Sequence, residues 1–264
     1  MKLNLHAVLL GAFALFFCLP PTPVPAAQTV PPSRCKARFP SDGLVQWGCV
    51  EIKKGDTIEG LFGEGWRDAA RLNRMDRRHA TPGKLIKAPK DPADIRGFTP
   101  LPREYPAARD HPKFILIDLS EQFLGAYEFG RLVFSAPAAT GERGNETPAG
   151  RFRITAYSRN HRSSKYFIGK TSMPYPMRYA LRFFIKDGIS YWIHGRDMPG
   201  HPASHGCVGL YDEEMQKKYY KYPKDPELED AKRLYEWVVG PIPDDNGFHV
   251  LNDGPEVEIR GDIP

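Results

Sequence analysis

The sequence is poor in cysteine, has no long hydrophobic run and contains no block of like charge. Four of its 264 residues are cysteine, and 26% are charged, with a net charge of +5. Its longest apolar run, Ala7–Cys18, is shorter than the ~20 residues that a membrane-spanning helix requires. Heptad runs, a collagen period and internal repeats are also missing. We therefore expect a soluble globular protein that binds no nucleic acid.

The N-terminus has the features of a secretory signal peptide. Lys2 precedes the apolar run, and Val24-Pro25-Ala26 provides a small-residue cleavage site. We expect residues 1–26 to be removed on export to the periplasm or cell wall. An uncleaved anchor is the alternative, and it is the one way in which we expect the chain to contact a membrane. A lipoprotein signal is disfavoured, because bulky residues precede Cys18.

The three remaining cysteines separate into a pair and a single thiol. Cys35 and Cys49 lie close together near the mature N-terminus, and two such cysteines in an exported protein usually form a disulfide. Cys207 is then without a partner. An unpaired thiol in an oxidising compartment is a liability unless it is used, so Cys207 is a candidate nucleophile.

Proline is in excess, and its positions divide the mature chain. The sequence contains 26 prolines, about twice average usage. Residues 27–42 form a Pro-rich mature N-terminus, and residues 91–112 carry a second stretch of prolines, which cannot join a sheet ladder. We predict a semi-rigid linker at 91–112, a small domain at 43–90 and a larger β-rich domain at 113–264.

The small domain is predicted to consist of a strand, two helices and a second strand. Asp56 is the expected N-cap of the first helix, over 57–62. Apolar residues at helical spacing predict the second helix from Trp66 to Asn73. A Pro-Gly turn at 82–83 then leads into the closing strand.

This pattern resembles a LysM module. The resemblance rests on the runs Ile52–Ile58 and Pro82–Pro89, with Leu72-Asn73 between them. It implies a small α+β domain of βααβ order that binds glycans containing N-acetylglucosamine. The alternative is a small structural domain in which the two turns have no binding role. A Cys35–Cys49 disulfide would stabilise a domain with so thin a core.

The larger domain is predicted to be mainly β. Two hairpins are expected, one turning at Phe129-Gly130 and one at Asp187-Gly188, where Asp-Gly between alternating aromatic runs indicates a type I′ turn. Helices are predicted over 212–218 and 227–238. Many short strands with few helices favour a β-sandwich or a barrel-like core.

Residues that carry chemistry are concentrated between Ile193 and Val208. His194 ends a predicted strand, and Cys207 follows it after a loop rich in glycine and proline. A thiol with a pKa of ~8.5 needs a base or a positive neighbour to react near neutral pH. A His194–Cys207 pair would therefore suit nucleophilic acyl transfer. The N–H groups of Gly206 and Cys207 are candidate donors of an oxyanion hole.

Two alternative roles for these residues are weaker. His194, His201, His205 and Cys207 could ligate a metal, but their spacing matches no zinc pattern, and zinc–thiolate sites more often use two or more cysteines. Cys207 could also be an ordinary core residue, although a Gly/Pro-rich loop makes a poor core. We expect no metal and no cofactor.

The same stretch resembles the YkuD-type L,D-transpeptidase family. The resemblance covers residues 113–259 and rests on His194-Gly195, Ser204–Val208, Asp118–Leu124 and a Thr-Gly…Thr-Pro signature at 140–152. It implies a YkuD-like β-sandwich as the catalytic domain, with Cys207 as nucleophile and His194 as general base. It also implies that the carbonyl of Gly195 orients His194, and that Ser204, His205 and Gly206 shape the nucleophile loop.

The activity implied by the resemblance is a two-step acyl transfer. A peptidoglycan tetrapeptide stem acylates the cysteine at the L-centre of diaminopimelate, D-Ala leaves, and an amine accepts the acyl group. Peptidoglycan stem peptides and glycan strands are the expected partners, and we expect a monomer. The alternatives are an L,D-carboxypeptidase or cysteine peptidase on the same stems, and a non-catalytic wall-binding protein. The intact His194–Cys207 pair argues against the last of these.

One position departs from the family pattern. Family members commonly carry Arg or Asn two residues after the nucleophile, whereas this chain has Gly209. An arginine there would place a fixed charge near the substrate. Arg182 and Arg196 are candidate replacements, and a solvated surface arginine is the alternative for each.

Overall fold

The structure is a computed structural model that describes residue 35 and residues 39–240 and 246–264. The predicted signal peptide and most of the Pro-rich mature N-terminus lie outside these residues. No helix within the described ranges has both the length and the apolar character needed to cross a membrane.

The N-terminal unit contains two strands and two short helices. In chain order these are β1 (Trp47–Glu51), α1 (Ile58–Phe62), α2 (Trp66–Leu72) and β2 (Leu85–Pro89). The strands pair antiparallel. Cys35 and Cys49 form a disulfide, as predicted. The predicted cap is wrong: Thr57 accepts the Gly60 N–H at 3.0 Å and caps α1, while Asp56 accepts the Lys53 N–H at 2.8 Å within the preceding turn.

The remaining described residues form two five-stranded sheets and two α-helices. Their elements are β3 (Phe114–Asp118), β4 (Phe123–Glu128), β5 (Arg131–Pro137), β6 (Gly150–Arg153), β7 (Ala156–Phe167), β8 (Pro174–Lys186), β9 (Ile189–Arg196), β10 (Val208–Tyr211), α3 (Glu213–Tyr220), α4 (Asp230–Val239), β11 (His249–Val250) and β12 (Glu256–Arg260). One sheet has the order β5-β4-β3-β12-β6, and the other has the order β10-β9-β8-β7-β11. The expected mainly β fold is confirmed.

Both sheets contribute side chains to one hydrophobic core. Ile115 and Leu124 enter it from the first sheet, Leu181 and Ile193 enter it from the second, and Leu234 of α4 covers it. These side chains are almost completely buried. The two sheets therefore form a sandwich, in which alternate residues of each strand face the core.

The predicted hairpins are present, but one long strand was not predicted. Asp187 and Gly188 both have positive φ values, 51° and 76°, as a type I′ turn between β8 and β9 requires. Strand β7 was missed because most of its residues are polar and only Ala156 and Ser158 are buried. It is held in the sheet by pairing with β8 rather than by an apolar face.

The stretch predicted to be a semi-rigid linker is packed against the first sheet. Ile95, Phe98, Leu101 and Ala108 are buried and form a second core with Phe114, Leu116, Phe123 and Tyr127 on the outer face of β3 and β4. The prolines here shape a covering segment because they alternate with apolar anchors. Residues 91–112, for which the sequence predicted a semi-rigid linker, thus form a packed covering segment along which the chain passes from one unit to the other.

The N-terminal unit and the sandwich share a third core. Ile58, Trp66 and Ile86 of the N-terminal unit pack with Met198 and Tyr211 of the sandwich. Tyr211 donates its hydroxyl to the carbonyl of Ala70 or Met75, each 3.1 Å away. The N-terminal unit is thus continuous with the fold that carries the candidate site.

Candidate active site

His194 lies near the end of β9 with its side chain buried. Its Nδ1 is 2.9 Å from the carbonyl oxygen of Gly195, and since a carbonyl can only accept, Nδ1 carries the proton in this bond. Burial lowers the pKa of His194 to about 3. The imidazole is therefore neutral at ordinary pH, with Nε2 unprotonated and able to accept a proton.

Residue 195 must be a glycine because the start of α3 packs closely against it. A Cβ at this position would overlap the carboxylate of Asp212. That carboxylate caps α3 by accepting the Met215 N–H at 2.9 Å, and it pairs with Arg178 Nη1 at 2.9 Å. The glycine lets β9 approach the start of α3, and this approach places the carbonyl that fixes His194.

Cys207 immediately precedes β10, which pairs in parallel with β9 so that Gly209 lies opposite His194. Its thiol is free and partly buried. Burial raises the pKa of Cys207, although a hydrogen bond from the backbone of Trp192 and the charge of Arg196 act in the opposite direction. His194 and Cys207 line the same cavity of about 240 Å³. The structure therefore brings together the two residues predicted to form the catalytic pair.

Ser204 and Gly206 shape the turn that presents Cys207. Ser204 is buried; its hydroxyl donates to the Cys207 carbonyl and accepts the Gly206 N–H at 3.1 Å. A Cβ at Gly206, where φ is +109°, would lie 2.5 Å from the Tyr191 ring. The prediction that the Gly206 N–H serves an oxyanion hole is wrong here, because that N–H is already bonded to Ser204. The Cys207 N–H is the remaining candidate.

The Thr-Gly…Thr-Pro signature supports this turn from the other side. The Thr140 carbonyl accepts the Ser204 N–H at 3.0 Å. The Thr147 hydroxyl accepts the Gly141 N–H at 2.9 Å and donates to the Gly206 carbonyl at 3.0 Å. These residues hold the nucleophile loop.

The two other histidines of the loop have different surroundings. His205 lines the cavity, and its ring stacks on Tyr166 with centroids 4.4 Å apart. His201 is exposed, and its Nδ1 bonds to the Pro202 carbonyl at 2.8 Å, away from the cavity. Within the described part of the chain, no group of three or more His, Cys, Asp or Glu side chains is placed to hold a metal ion.

Two cavities meet at Cys207, and the candidate arginines lie in different ones. Arg196 lines the 240 Å³ cavity with His194. Arg182 lines an adjoining, larger cavity of about 690 Å³, which shares His205 and Cys207 with the first, and it lies there over Trp192 and Phe248.

Sequence reasoning missed a chain of contacts that reaches His194 from the N-terminal unit. Tyr175 packs edge-on against His194, with ring centroids 6.5 Å apart, and donates its hydroxyl to Asp197 Oδ1 at 2.7 Å. Asp197 Oδ2 accepts from Arg78 at 2.7 Å. The next residue, Met198, donates its N–H to Asp76 at 2.6 Å. No pattern in the sequence signals these contacts, because their partners come from distant segments.

The family model for the YkuD L,D-transpeptidase catalytic domain matches residues 112–259, which is more than half of the chain. This range begins at β3 and ends in β12, and it contains both sheets, His194 and Cys207. No curated protein matches the chain.

Several solved structures of L,D-transpeptidases are similar to the chain. The Xylanimonas cellulosilytica protein is 22% identical, with 91% of this chain and 100% of that one covered and a TM-score of 0.43. The Stackebrandtia nassauensis protein is also 22% identical, with 78% of this chain and 71% of that one covered and a TM-score of 0.40. Mycobacterium tuberculosis L,D-transpeptidase 1 is 17% identical, with 56% of this chain and 62% of that one covered and a TM-score of 0.37. The chain also spans 58% of the length of an LD transpeptidase solved with imipenem.

We predict that Arg78→Met slows the alkylation of Cys207 by iodoacetamide. The substitution removes the 2.7 Å contact of Asp197 with Arg78 and leaves it only the longer one, at 3.5 Å, with His79, which loosens Tyr175 and the placement of His194. Residues that act through a neighbour typically contribute about 0.5–2 kcal/mol, which is roughly 2- to 30-fold in rate. The rate of carbamidomethylation, followed by mass spectrometry, measures the effect.

Arg67→Met is the matched control for Arg78→Met. Arg67 forms an ion pair with Glu227 across the same interface, and no hydrogen bond or ion pair of the described residues joins it to residues 197–199. An equal loss in both variants, or no loss in Arg78→Met, would contradict the positioning role.

Proposed function

The chain belongs to the YkuD family of L,D-transpeptidase catalytic domains, and from this membership we propose that it is an exported L,D-transpeptidase that remodels or cross-links peptidoglycan. Cys207 is the proposed nucleophile and His194 the proposed general base. The observation that carries the proposal is the placement of both side chains on one cavity, with His194 held by the Gly195 carbonyl.

In the first step, the thiol of Cys207 attacks the carbonyl carbon at the L-centre of diaminopimelate in a tetrapeptide stem. His194 Nε2 takes the thiol proton as the C–S bond forms. The bond to the D-Ala nitrogen then breaks, and His194 returns the proton to that amine. This division into acylation and transfer is the usual logic of a covalent nucleophile with an adjacent base.

In the second step, an acceptor amine attacks the thioester. His194 takes a proton from the amine, the new amide bond forms, and the Cys207 thiolate leaves and recovers the proton. Both groups start neutral, since burial lowers the pKa of His194 to about 3 and raises the pKa of Cys207. Proton transfer therefore accompanies the attack instead of preceding it.

We also propose that the N-terminal unit binds glycan strands of the wall. Supporting this, the turn after β1 and the turn before β2 lie side by side, because Gly83 N–H donates to the Ile52 carbonyl at 2.7 Å and Ile52 N–H donates to the Lys84 carbonyl at 2.9 Å. Lys53, Lys54 and Gly55 are exposed at this edge. These three residues are open to a sugar polymer, while Ile52 and Lys84 of the same turns contact the sandwich.

We predict that Cys207→Ala abolishes turnover of isolated cell wall without unfolding the protein, because replacing a thiol by a methyl group at a loop costs little packing. Mass spectrometry of the products separates the three candidate functions: cross-linked dimers for a transferase, trimmed stems for a hydrolase and unchanged stems for a wall-binding protein. A carbapenem should acylate the native protein and leave Cys207→Ala unlabelled. Turnover retained in Cys207→Ala would rule out the assignment.

We predict that His194→Gln lowers kcat/KM by ~10²–10⁴-fold, the range typical of a positioned acid–base group. His201→Gln is the matched control and should stay near the native rate, since His201 is exposed. His205→Gln should be intermediate, because it loses the stack on Tyr166. Circular dichroism checks folding. If His201→Gln lost most of its activity while His194→Gln stayed near the native rate, the assignment of His194 as the base would be wrong.

The pH dependence of kcat/KM provides an independent test of the buried pair. A His whose pKa is depressed in the folded protein holds the base form down to that lower pKa. His194, with a pKa of about 3, should therefore keep its basic form at pH 5, where a solvated imidazole is mostly protonated. An acid limb centred near pH 6.5 would contradict a buried neutral His194.

We predict that the full-length Cys207→Ala variant co-sediments with glycan strands whose stem peptides have been removed. Inactivation of the thiol prevents acylation from being counted as binding. Soluble stem peptides added in excess serve as the control and should not release the protein. Loss of binding on removal of the stems would assign wall affinity to the catalytic cavity alone.

A further inference from the structure

Gly209 leaves a space in β10 that the side chain of Arg196 fills. In the parallel pair, His194 and Arg196 lie two residues apart on β9, and Gly209 is opposite His194. A Cβ at Gly209 would overlap the Cδ and Cγ atoms of Arg196. The aliphatic part of Arg196 therefore crosses the position from which a side chain at 209 would emerge.

Among the described residues, the guanidinium of Arg196 makes no ion pair within 4.0 Å, although its charge is near enough to Asp197 to lower the pKa of that carboxyl. Its Nε donates to the backbone carbonyl of Asp197 at 2.9 Å, which fixes the direction of the group but does not neutralise its charge. The carboxylate of Asp197 is already bonded to Arg78 and Tyr175, each at 2.7 Å. No carboxylate of the described chain lies within ion-pair distance of Arg196.

Arg196 is the one formally charged side chain, in the described structure, that lines the 240 Å³ cavity of His194 and Cys207. The other walls are neutral, with apolar surface from Phe167 and Met177. A lone cation on a largely apolar wall favours a ligand with one negative group next to an uncharged portion.

We propose that Arg196 is a substrate-binding residue that takes a carboxylate of the ligand beside Cys207. Resting on the proposed function, that carboxylate is the terminal one of the donor stem. It belongs to the leaving D-Ala and is three covalent bonds from the carbon that Cys207 attacks. The charge that the family commonly carries two residues after the nucleophile is thus supplied here from the neighbouring strand.

Arg182 does not provide the same contact. It borders the larger cavity, its Nε bonds to the Thr155 hydroxyl at 3.2 Å, and its guanidinium lies over the rings of Trp192 and Phe248. It lies on β8 opposite Trp192 and does not line the cavity of His194 and Arg196, and it therefore serves as the matched control.

The test compares alkylation of Cys207 by iodoacetate, which is anionic, with alkylation by neutral iodoacetamide. A change in thiol pKa or in His194 affects both reagents, so the ratio of the two rates isolates recognition of the carboxylate. Arg196→Met should lower the iodoacetate-to-iodoacetamide ratio roughly tenfold, as for the loss of one charge-assisted hydrogen bond. Arg182→Met should leave the ratio unchanged.

Two further variants separate the position of the charge from its presence. Gly209→Ala keeps Arg196 but displaces it, and should lower the ratio. Arg196→Lys keeps a positive charge without the planar fork and should restore part of the ratio. An unchanged ratio in Arg196→Met, or an equal fall in Arg182→Met, would overturn the proposal.

A donor whose terminal carboxylate is an amide tests which carboxylate is bound. The native protein should show a raised KM for the amide relative to the acid, and Arg196→Met should not distinguish the two. If Arg196→Met still prefers the acid, the donor carboxylate binds elsewhere. If no variant turns over stems while the alkylation ratio changes as expected, the proposed function fails and the anion site stands.

Discussion

The hydrogen bond from His194 Nδ1 to the Gly195 carbonyl is the constraint around which the site is built. It fixes one tautomer of a buried neutral imidazole, and so leaves Nε2 unprotonated, as the proposed role of base requires. The carbonyl is in place because β9 approaches α3, and that approach is possible because residue 195 has no side chain to meet Asp212. A substitution at this glycine would therefore move the base without touching it.

The N-terminal unit contributes to the same constraint. Arg77 forms a buried ion pair with Glu213 at the start of α3, with Nε 2.8 Å from Oε1. Removing one partner of such a pair typically costs about 3–5 kcal/mol, because the other charge stays buried and unpaired. Asp76 and Lys84 bind the backbone of Met198 and Pro199, between the base and the nucleophile. The unit thus packs against the fold that carries His194 and Cys207, and it also carries the proposed glycan-binding surface.

Local signals in the sequence predicted local features. The Asp187-Gly188 turn, the buried face of the helix at Trp66 and the Cys35–Cys49 disulfide each depend on residues close in the chain, and each is present. The spacing of His194 and Cys207 predicted their proximity because one loop joins them. Contacts between distant segments were not predictable in this way. The polar strand β7 gives no apolar pattern, and the packing of residues 91–112 depends on a face of β3 and β4 that no short motif describes.

Arg196 fills the space that Gly209 leaves beside Cys207, and its position depends on contacts from both parts of the chain. A side chain at 209 would start from β10, next to the nucleophile, and would be placed by that strand alone. Arg196 starts from β9 and is directed by the Asp197 carbonyl, and Asp197 is in turn held by Arg78 of the N-terminal unit. The position of the cation is therefore set by the same contacts that support Tyr175 and His194. Loosening the N-terminal unit would disturb the proposed base and the proposed anion site together, so the packing that joins the two parts of the chain would be a requirement of the proposed chemistry as well as of the fold.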